Sequence, residues 1–363
     1  MKAGILTFHR ALNYGAVLQT FALSRAVCSL GAECKVIDYR SEPLEDTYKV
    51  FNFKKGNPLI VIAKGILKGK IILKKKKGFD DFVAKNIPVT DNSYSFSQLN
   101  SLNDEYDLFI TGSDQVWSPS CVGFDEAYFL TFAENSKKNS YAASIGCKNI
   151  PSDKIDKYLD RLKDYKNISV REKNAAELLR GVGINLPIEK NIDPTLLLSS
   201  EKYDAIAAEP AEKKYILVFS VNLPVNLLNY AKKLGAEKGL QVIYLNDKPM
   251  MRVKGITYKT GVSPEQFLGY IKNAEYVVTN SFHGTAFSVI FHKNFFVEYQ
   301  TQNGRNGRAE ELLDRLGISN REIKNLDLIH ETPIDWEKVE KEISAEREKS
   351  FEYLKKILGS YHE

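Results

Sequence analysis

Short apolar runs of strand length alternate along this chain with longer stretches whose apolar residues have helical spacing. The first series has strands at Lys2–Phe8 and Cys34–Tyr39 around a helix at Asn13–Leu30. This β-α-β order predicts a parallel sheet covered by helices. The same patterns predict strands at Asp107–Thr111, Ser140–Ile145 and Asn167–Arg171, and a helix at Asn174–Arg180.

A second series of the same kind follows Glu201–Lys214, a stretch rich in Ala, Glu and Lys that is predicted to link two halves. Its predicted strands are Tyr215–Val221, Gln241–Leu245, Tyr276–Thr279 and Asn294–Tyr299, and its predicted helices are Leu227–Lys238, Pro264–Asn273 and the charged Glu337–Leu358. The predicted fold is therefore α/β, with two Rossmann-like, doubly wound domains facing a cleft and a C-terminal helix.

The predicted domain bounds follow from this pattern. Residues 1–200 form an N-terminal domain with a variable basic helical segment at about 42–103, residues 201–334 form a second domain, and 335–363 form the terminal helix. A length of 363 residues agrees with two domains, because a single core of this size is unusual.

Composition narrows the class of protein. Hydrophobic residues make up 43% and charged residues 27%, as in globular proteins, and the net charge of +5 is too small to argue for nucleic acid. The four cysteines are scattered without metal-ligand spacing, so we expect reduced thiols and no metal site. The N-terminus lacks a signal-peptide pattern and no apolar run is long enough to span a membrane. These features predict a cytoplasmic protein.

The stretch NSFHGTAFSVIF predicts a strand that turns into a helix with a histidine at the turn. Ser281 and Thr285 can cap the helix, and Gly284 permits close approach of the backbone to a ligand. A helix N-terminus attracts anions, and strand ends are where such folds bind ligands. His283 and its neighbour Phe282 are therefore candidate site residues. A histidine that only caps or packs the turn is the alternative.

The stretch TGSDQVW changes abruptly from a strand to small and polar residues. Gly112 and Ser113 can cradle an anion or a sugar, Asp114 can accept protons from hydroxyls, and Gln115 lies beside them. The alternative is a local turn closed by Asp114, with Trp117 packed inside.

Two further sets complete the candidate residues. Asn13, Tyr14 and Gly15 occupy the first β-α turn, which is not a dinucleotide fingerprint; Asn13 also suits a helix cap. Arg171 ends a strand, where its planar fork can bind carboxylate or phosphate; a surface pair with Glu172 or a helix cap is the alternative, which position alone favours. Arg305 and Arg308 are anion candidates or solvated loop charges.

The lysine-rich stretch 58–77 has aliphatic residues at loose helical spacing. It can lie on an anionic membrane surface and bring in a lipid-linked substrate. A solvated helix on the protein's own surface is the alternative.

Four motifs in order, NYGAVLQ, ITGSDQVW, ISVRE and NSFHGTAFSVIF, give the chain a specific resemblance. From about Lys2 to Leu316 it resembles the polysaccharide pyruvyl transferase family. The resemblance implies a GT-B-like fold and transfer of a pyruvyl group from phosphoenolpyruvate to a sugar, usually as a cyclic ketal across two hydroxyls. It implies an acceptor of galactose or mannosamine type in a bacterial surface polysaccharide, capsule or exopolysaccharide, sometimes as a lipid-linked precursor at the inner face of the membrane.

The resemblance also implies roles for residues. The family's histidine in the SHG-type turn, regarded as catalytic, corresponds to His283, with Phe282 as a variation, and its strand-end arginine corresponds to Arg171, a ligand of phosphoenolpyruvate. His283 would protonate the methylene carbon, Asp114 would orient or deprotonate the sugar hydroxyl, and Arg171 would stabilise the departing phosphate. No cofactor is required. Which residue is acid and which is base stays open.

Two other functions remain compatible with the sequence. One is a GT-B-type glycosyltransferase that places the diphosphate of a nucleotide sugar at the SFHG helix end. The other is a non-catalytic component of a polysaccharide complex that binds phosphoenolpyruvate without turnover.

Overall fold

The computed structural model describes residues 1–49, 58–221, 225–247, 252–299, 307–326 and 331–359, with the side chains of 58–64, 66 and 67 left out. The chain forms two compact units. Unit 1 comprises Met1–Thr47, Val83–Leu198 and Ser344–Glu363, and unit 2 comprises Tyr48–Phe82 and Ser199–Ile343.

The regular elements of the described residues follow in chain order. The strands are β1 (Lys2–Leu6), β2 (Glu33–Tyr39), β3 (Val89–Tyr94), β4 (Leu108–Thr111), β5 (Lys138–Ser140), β6 (Ile168–Val170), β7 (Ile188–Lys190), β8 (Tyr215–Phe219), β9 (Gln241–Leu245), β10 (Ile256–Lys259), β11 (Tyr276–Thr279) and β12 (Asn294–Val297). The helices are α1 (Tyr14–Ser29), α2 (Glu42–Tyr48), α3 (Pro58–Asn86), α4 (Ile155–Leu162), α5 (Lys173–Gly181), α6 (Ser200–Asp204), α7 (Val225–Lys238), α8 (Pro264–Lys272), α9 (Phe282–Ile290), α10 (Gly307–Arg315) and α11 (Trp336–Gly359). Short 3-10 helices lie between them, the longest at Phe96–Asp104.

Unit 1 is built on a parallel sheet with the strand order β3-β2-β1-β4-β5. The central strand β1 pairs with β2 on one side and with β4 on the other. Ala3, Ile5 and Leu6 are fully buried, as expected for a strand covered on both faces. The chain reverses direction across the sheet between β1 and β4, which is the switch point where doubly wound sheets bind ligands.

Unit 2 repeats this topology with the strand order β10-β9-β8-β11-β12, again all parallel. Its switch point lies between β8 and β11. Part of its core joins Ile216 and Val218 of β8 to Leu227, Tyr230 and further residues of α7. In each unit the candidate motif therefore follows the strand at the switch point, TGSDQ after β4 and SFHG after β11.

Two segments group differently from the predicted domain bounds. Residues 48–82, assigned by the sequence to the N-terminal domain, group with unit 2. There Lys75 Nζ lies 2.8 Å from Asp247 Oδ2, and a Cβ on Gly78 would come within 2.8 Å of Ser263 Cβ. From Ser344 onward the terminal helix groups with unit 1, where Tyr353 donates a hydrogen bond to the carbonyl of Ser140.

The periodicity located most elements within two residues, but one strand was wrong. The strand predicted at Ser140–Ile145 lies at Lys138–Ser140 instead. Ala142 has a φ of +48°, which ends the extended conformation, so the buried run after Ser140 forms only isolated bridges through Ala143. Val89–Tyr94, Ile188–Lys190 and Ile256–Lys259 were missed as strands.

Candidate functional site

The SFHG turn of unit 2 is held by a network of short hydrogen bonds. Thr279 Oγ1 donates to the carbonyl of Phe219 at 2.6 Å and accepts from the Ser281 amide at 3.0 Å, so the ends of β8 and β11 are tied together. Ser281 is the N-cap of α9, accepting from the Gly284 amide at 3.4 Å, and Thr285 Oγ1 donates to the Ser281 carbonyl. The predicted capping role of Ser281 is confirmed.

His283 lies in the first turn of α9 and is 7% exposed. Its ring packs edge-on against Phe282, with the ring centroids 5.0 Å apart. The guanidinium carbon of Arg308 lies 5.8 Å from the centroid of the Phe282 ring. An imidazole, an aromatic ring and a guanidinium therefore come together at the N-terminus of one helix, whose dipole favours negative charge. Arg305 lies outside the described residues.

Gly284 is required by the close approach of α9 to β11. A Cβ at this position would lie 2.3 Å from Thr279 Oγ1 and 3.2 Å from Phe219 Cδ1. We expect Gly284→Ala to lower the free energy of unfolding by about 1–3 kcal/mol, because the added methyl group displaces the hydroxyl that joins the two strands. Denaturant unfolding measures the change. Gly307→Ala is the control, since no atom of the described residues lies within 4 Å of a Cβ there. Equal midpoints for both variants would contradict the prediction.

In unit 1 the loops after β1 and β4 pack against each other. Thr7 Oγ1 donates to the Ser113 carbonyl at 3.0 Å and accepts from Gln19 Nε2 at 2.8 Å. A Cβ on Gly112 would lie 2.9 Å from Thr7 Cβ, so glycine is needed for this approach. The predicted residues Gly112 and Ser113 are thus fixed beside the start of α1.

Asp114 adopts a left-handed backbone conformation, with a φ of +73°. Asp tolerates this region better than most residues, and such backbone is concentrated at functional sites. Its Oδ1 accepts from the Gln115 amide at 2.8 Å, and its carbonyl accepts from the Ser144 amide. The Gln115 side chain accepts from Cys121 Sγ and lies against Gly146. Trp117 is fully buried, as the turn interpretation predicted.

Asn13, Tyr14 and Gly15 form the start of α1. Asn13 Oδ1 accepts from the Ala16 amide at 3.3 Å, so the residue caps the helix as predicted. Tyr14 and Gly15 are buried in the first turn. Gln19, which lies one turn further along α1, donates a hydrogen bond to Thr7 Oγ1 and so joins this end of the helix to the loop after β1.

Arg171 is 6% exposed and bound to carboxylates. Its Nε donates to Glu172 Oε1 at 2.9 Å, and its Nη1 donates to Asp193 Oδ2 and, at 3.4 Å, to Ser113 Oγ. Burial opposes the charge of the guanidinium, but Glu172, Asp193 and Asp114 together raise its pKa, so Arg171 stays charged. One cation thus faces three carboxylates in this cluster.

The structure adds residues that the sequence did not indicate. Asp193, 1% exposed, binds Arg171 from 22 positions along the chain and also accepts from Thr195 Oγ1. Ser144 Oγ donates to Glu172 Oε1 and so completes the cluster. The only signal for Asp193 was its position before Pro194, which is typical of a helix cap. The candidate residues fall into two sets, one in each unit.

The lysine-rich segment 58–77 belongs to α3. Lys74 Nζ donates to the Thr260 carbonyl and Lys75 binds Asp247, whereas Lys76 and Lys77 pair with Asp80 and Asp81 one turn along the helix. The last four lysines of the segment therefore have partners within the protein, which agrees with the alternative of a solvated helix on the surface of the protein. Among the described residues, no helix combines the length and apolarity needed to cross a bilayer.

Comparisons with known proteins point to one family and one fold. A family model described as polysaccharide pyruvyl transferase matches residues 13–299. No curated protein matches the chain. UDP-GlcNAc 2-epimerase of Methanocaldococcus jannaschii, solved with UDP-GlcNAc and UDP, is 13% identical, covers 99% of this chain and 100% of its own, and has a TM-score of 0.50. The E. coli heptosyltransferase WaaC with ADP is 12% identical, with coverage of 85% and 90% and a TM-score of 0.40. The predicted α/β class with two Rossmann-like units of GT-B type and a C-terminal helix is confirmed.

Proposed function

The chain belongs to the polysaccharide pyruvyl transferase family, and on that premise we propose that it transfers the pyruvyl group of phosphoenolpyruvate to a sugar, forming a cyclic ketal and releasing phosphate. The observation that carries the proposal is the buried His283 in the first turn of α9, beside Phe282 and Arg308. The matched range contains His283, Arg171 and Asp114.

The proposal assigns recognition of the donor anion mainly to unit 2. Phosphoenolpyruvate carries a carboxylate and a phosphate, which require cations and backbone amides. Arg308 provides a guanidinium, and the N-terminus of α9 provides a partial positive charge next to His283. The three groups suit one small dianionic or trianionic ligand.

The proposed reaction begins with transfer of a proton to phosphoenolpyruvate and ends with closure of the ketal. His283, as an imidazolium, gives a proton to the methylene carbon, and the adjacent carbon becomes electrophilic. A sugar hydroxyl oxygen bonds to that carbon, and its proton passes to the departing phosphate. The carbon–oxygen bond to phosphate breaks, with the departing charge stabilised by the helix N-terminus and Arg308. A second hydroxyl oxygen bonds to the same carbon and gives its proton to the imidazole of His283, which closes the ketal and restores the acid.

Unit 1 suits the acceptor better than it suits an anion. Its cluster has Arg171 against Asp114, Glu172 and Asp193, so carboxylates outnumber cations. Carboxylates accept hydrogen bonds from hydroxyls, which supports Asp114 as the group that orients or deprotonates the sugar. Contact of Arg171 with phosphoenolpyruvate stays a prediction. Glu172 binds the Nε and Asp193 the Nη1 of its guanidinium, so a donor anion would have to compete with these two carboxylates.

The wider setting is also part of the proposal. The acceptor would be a galactose- or mannosamine-type sugar of a bacterial surface or capsular polysaccharide, and the reaction would take place in the cytoplasm without cofactor or metal. If the acceptor is lipid-linked, residues 58–77 would be the segment that approaches the inner face of the membrane.

Thermal stability with added ligands tests the function. We expect phosphoenolpyruvate to raise the unfolding midpoint, because a ligand at a hundredfold excess over its Kd adds about 2.7 kcal/mol to the native state. Arg308→Ala should remove most of this rise. Arg180→Ala is the matched control, since Arg180 is an exposed residue at the end of α5.

The same experiment separates the second candidate function. The N-terminus of α9 would also accept the diphosphate of a nucleotide sugar. A rise with UDP-GlcNAc or UDP-galactose and none with phosphoenolpyruvate would refute pyruvyl transfer and favour a glycosyltransferase. A rise with phosphoenolpyruvate but no phosphate release with any sugar acceptor would indicate a non-catalytic member.

A further inference from the structure

A polar groove of about 590 Å³ opens on unit 1 at the end of β3. Its volume lies within the range of roughly 300–1,000 Å³ that is usual for small-molecule sites. All the residues that line it carry hydroxyl or carboxamide groups: Asn92, Ser93, Tyr94, Ser97, Gln98, Asn100 and Ser101.

The lining selects one class of ligand. Each hydroxyl and carboxamide both donates and accepts hydrogen bonds, which matches the hydroxyls of a sugar. Within the described part of the chain, the residues that line the groove include no lysine, arginine or aliphatic side chain. Arg10 Nη2 lies 3.4 Å from Ser93 Oγ, but its guanidinium is already bound to both carboxylate oxygens of Asp38, which neutralises it as a site for phosphate or carboxylate. Tyr94 adds an aromatic ring with an apolar body. A neutral, polyhydroxylated ligand is the best chemical match.

Part of the lining is fixed in place before any ligand binds. Gln98 Oε1 accepts from the Ser95 amide at 2.9 Å and from Ser95 Oγ at 2.8 Å. This orients the carboxamide and leaves both protons of Gln98 Nε2 available as donors. Ser93 Oγ donates to Asp38 Oδ2 at 2.6 Å, which orients that hydroxyl as well. Donors fixed in this way lose little entropy on binding.

Asp38 joins the groove to the loop after β1. Its Oδ1 lies 2.9 Å from His9 Nε2, and Arg10 donates to both of its carboxylate oxygens. Burial works against the charge of Asp38, but hydrogen bonds from His9, Arg10 and Ser93 hold the pKa of its carboxyl well below the usual range. The ion pair therefore persists at neutral pH and ties β3 to the segment that leads into Asn13.

The sheet gives the distance between the groove and the candidate residues of unit 1. All strands are parallel, so the loops after β3, β1 and β4 lie at the same edge. With neighbouring strands about 4.8 Å apart, the end of β3 is about 10 Å from that of β1 and about 14 Å from that of β4, where Asp114 follows. A short oligosaccharide spans such a distance.

We propose that the groove formed by Asn92–Ser101 is a distal binding site for the acceptor glycan, which holds neutral sugar residues while the sugar to be modified lies nearer Asp114. The inference rests on the proposed function for the identity of its ligand as an acceptor. Binding of a neutral oligosaccharide in the groove can be measured without phosphoenolpyruvate.

Calorimetric titration with neutral tetrasaccharides of galactose, N-acetylglucosamine and N-acetylmannosamine tests the site. We expect at least one to bind the wild-type protein, and Ser97→Tyr to weaken that binding about tenfold or more by filling the groove. Asn92→Ala, which removes one carboxamide without adding bulk, should weaken it by a smaller factor. Ser152→Tyr is the control, because Ser152 is an exposed serine of unit 1 outside the groove.

The outcomes separate this inference from the proposed function. If no tetrasaccharide binds, or if Ser97→Tyr and Ser152→Tyr bind equally well, the groove is not a glycan site. If a tetrasaccharide binds through the groove but phosphoenolpyruvate does not stabilise the protein, the groove is a glycan site and the proposed pyruvyl transfer is refuted. With turnover established, Ser97→Tyr should raise KM for the tetrasaccharide about tenfold and leave KM for a methyl glycoside unchanged.

Discussion

His283→Gln should lower the rate of phosphate release from phosphoenolpyruvate by about 10²–10⁴-fold, at saturating donor and with the best acceptor from a sugar screen. Glutamine has a similar volume and can hydrogen-bond, but it cannot deliver a proton to carbon. Residue 283 is buried in the first turn of α9, and hydrogen bonds of Ser281 and Thr285 fix the backbone of that turn. The turn should therefore keep its conformation in the variant. The loss is therefore expected in kcat with a smaller change in KM for phosphoenolpyruvate.

His292 provides the matched control at the other end of the same helix. It follows α9, pairs with Glu340 at 2.7 Å and stacks on Trp336, so it is a histidine engaged in packing and an ion pair. His292→Gln should leave the rate within about twofold, since changes at exposed positions outside a site have small effects. A His283→Gln enzyme that turns over as fast as the His292→Gln enzyme would refute the catalytic assignment.

Arg171→Ala should lower the free energy of unfolding of unit 1 by about 3–5 kcal/mol, because it leaves Asp193 and Glu172 without their cation in a buried cluster. Asp193 is the more costly of the two, since its side chain is fully inaccessible to solvent. Denaturant unfolding followed by circular dichroism measures the loss. Arg180→Ala, which removes an exposed guanidinium, should change stability by no more than about 0.5 kcal/mol.

A double-mutant cycle makes this prediction sharper. Asp193→Asn in the Arg171→Ala background removes the charge that was left uncompensated, so the double variant should be more stable than the sum of the single losses indicates. Additive losses would mean that the two groups do not interact as the structure shows. The stability measurement also serves as a control for the ligand-stabilisation experiment. A weaker response of Arg171→Ala to phosphoenolpyruvate can be interpreted only under conditions where the variant is folded.

The sequence predicted the elements that repeat a simple pattern. Apolar runs such as KAGIL and YVVT became buried central strands, and their alternation with helices predicted two doubly wound sheets. The missed strand β3 (VTDNSY) lies at a sheet edge and has only one buried residue, so it carries no apolar run to detect. The prediction of a strand at Ser140–Ile145 was wrong because the residues after Ser140 are buried but their backbone is not extended, as the φ of Ala142 shows.

The site shows the same division between local and long-range information. The cap at Ser281 depends on residues within a few positions, and the sequence indicated it. Gly284 was predicted to let the backbone approach a ligand, whereas the approach that the structure shows is to Thr279 and Phe219. The alternative considered for Arg171, a surface pair with Glu172, named the right partner, but the pair is buried. Asp193, which the sequence did not indicate, reaches Arg171 through the pairing of β6 with β7. The grouping of 48–82 with unit 2 depends on tertiary contacts that no local pattern encodes.

The order of synthesis of this chain differs from the order in which its units become complete. Unit 2 has all its residues once Ile343 has been made, whereas unit 1, which contains the N-terminus, still lacks Ser344–Glu363. Those last residues supply Ser350, whose Oγ accepts hydrogen bonds from Asn191 Nδ2 at 3.4 Å and from the Ile192 amide at 3.2 Å. They also supply Tyr353, which donates to the Ser140 carbonyl at the end of β5. Unit 1 can therefore be completed only after all the residues of unit 2 have been synthesised. The segment that carries Asp193 therefore gains its final support from residues that are made after those of unit 2.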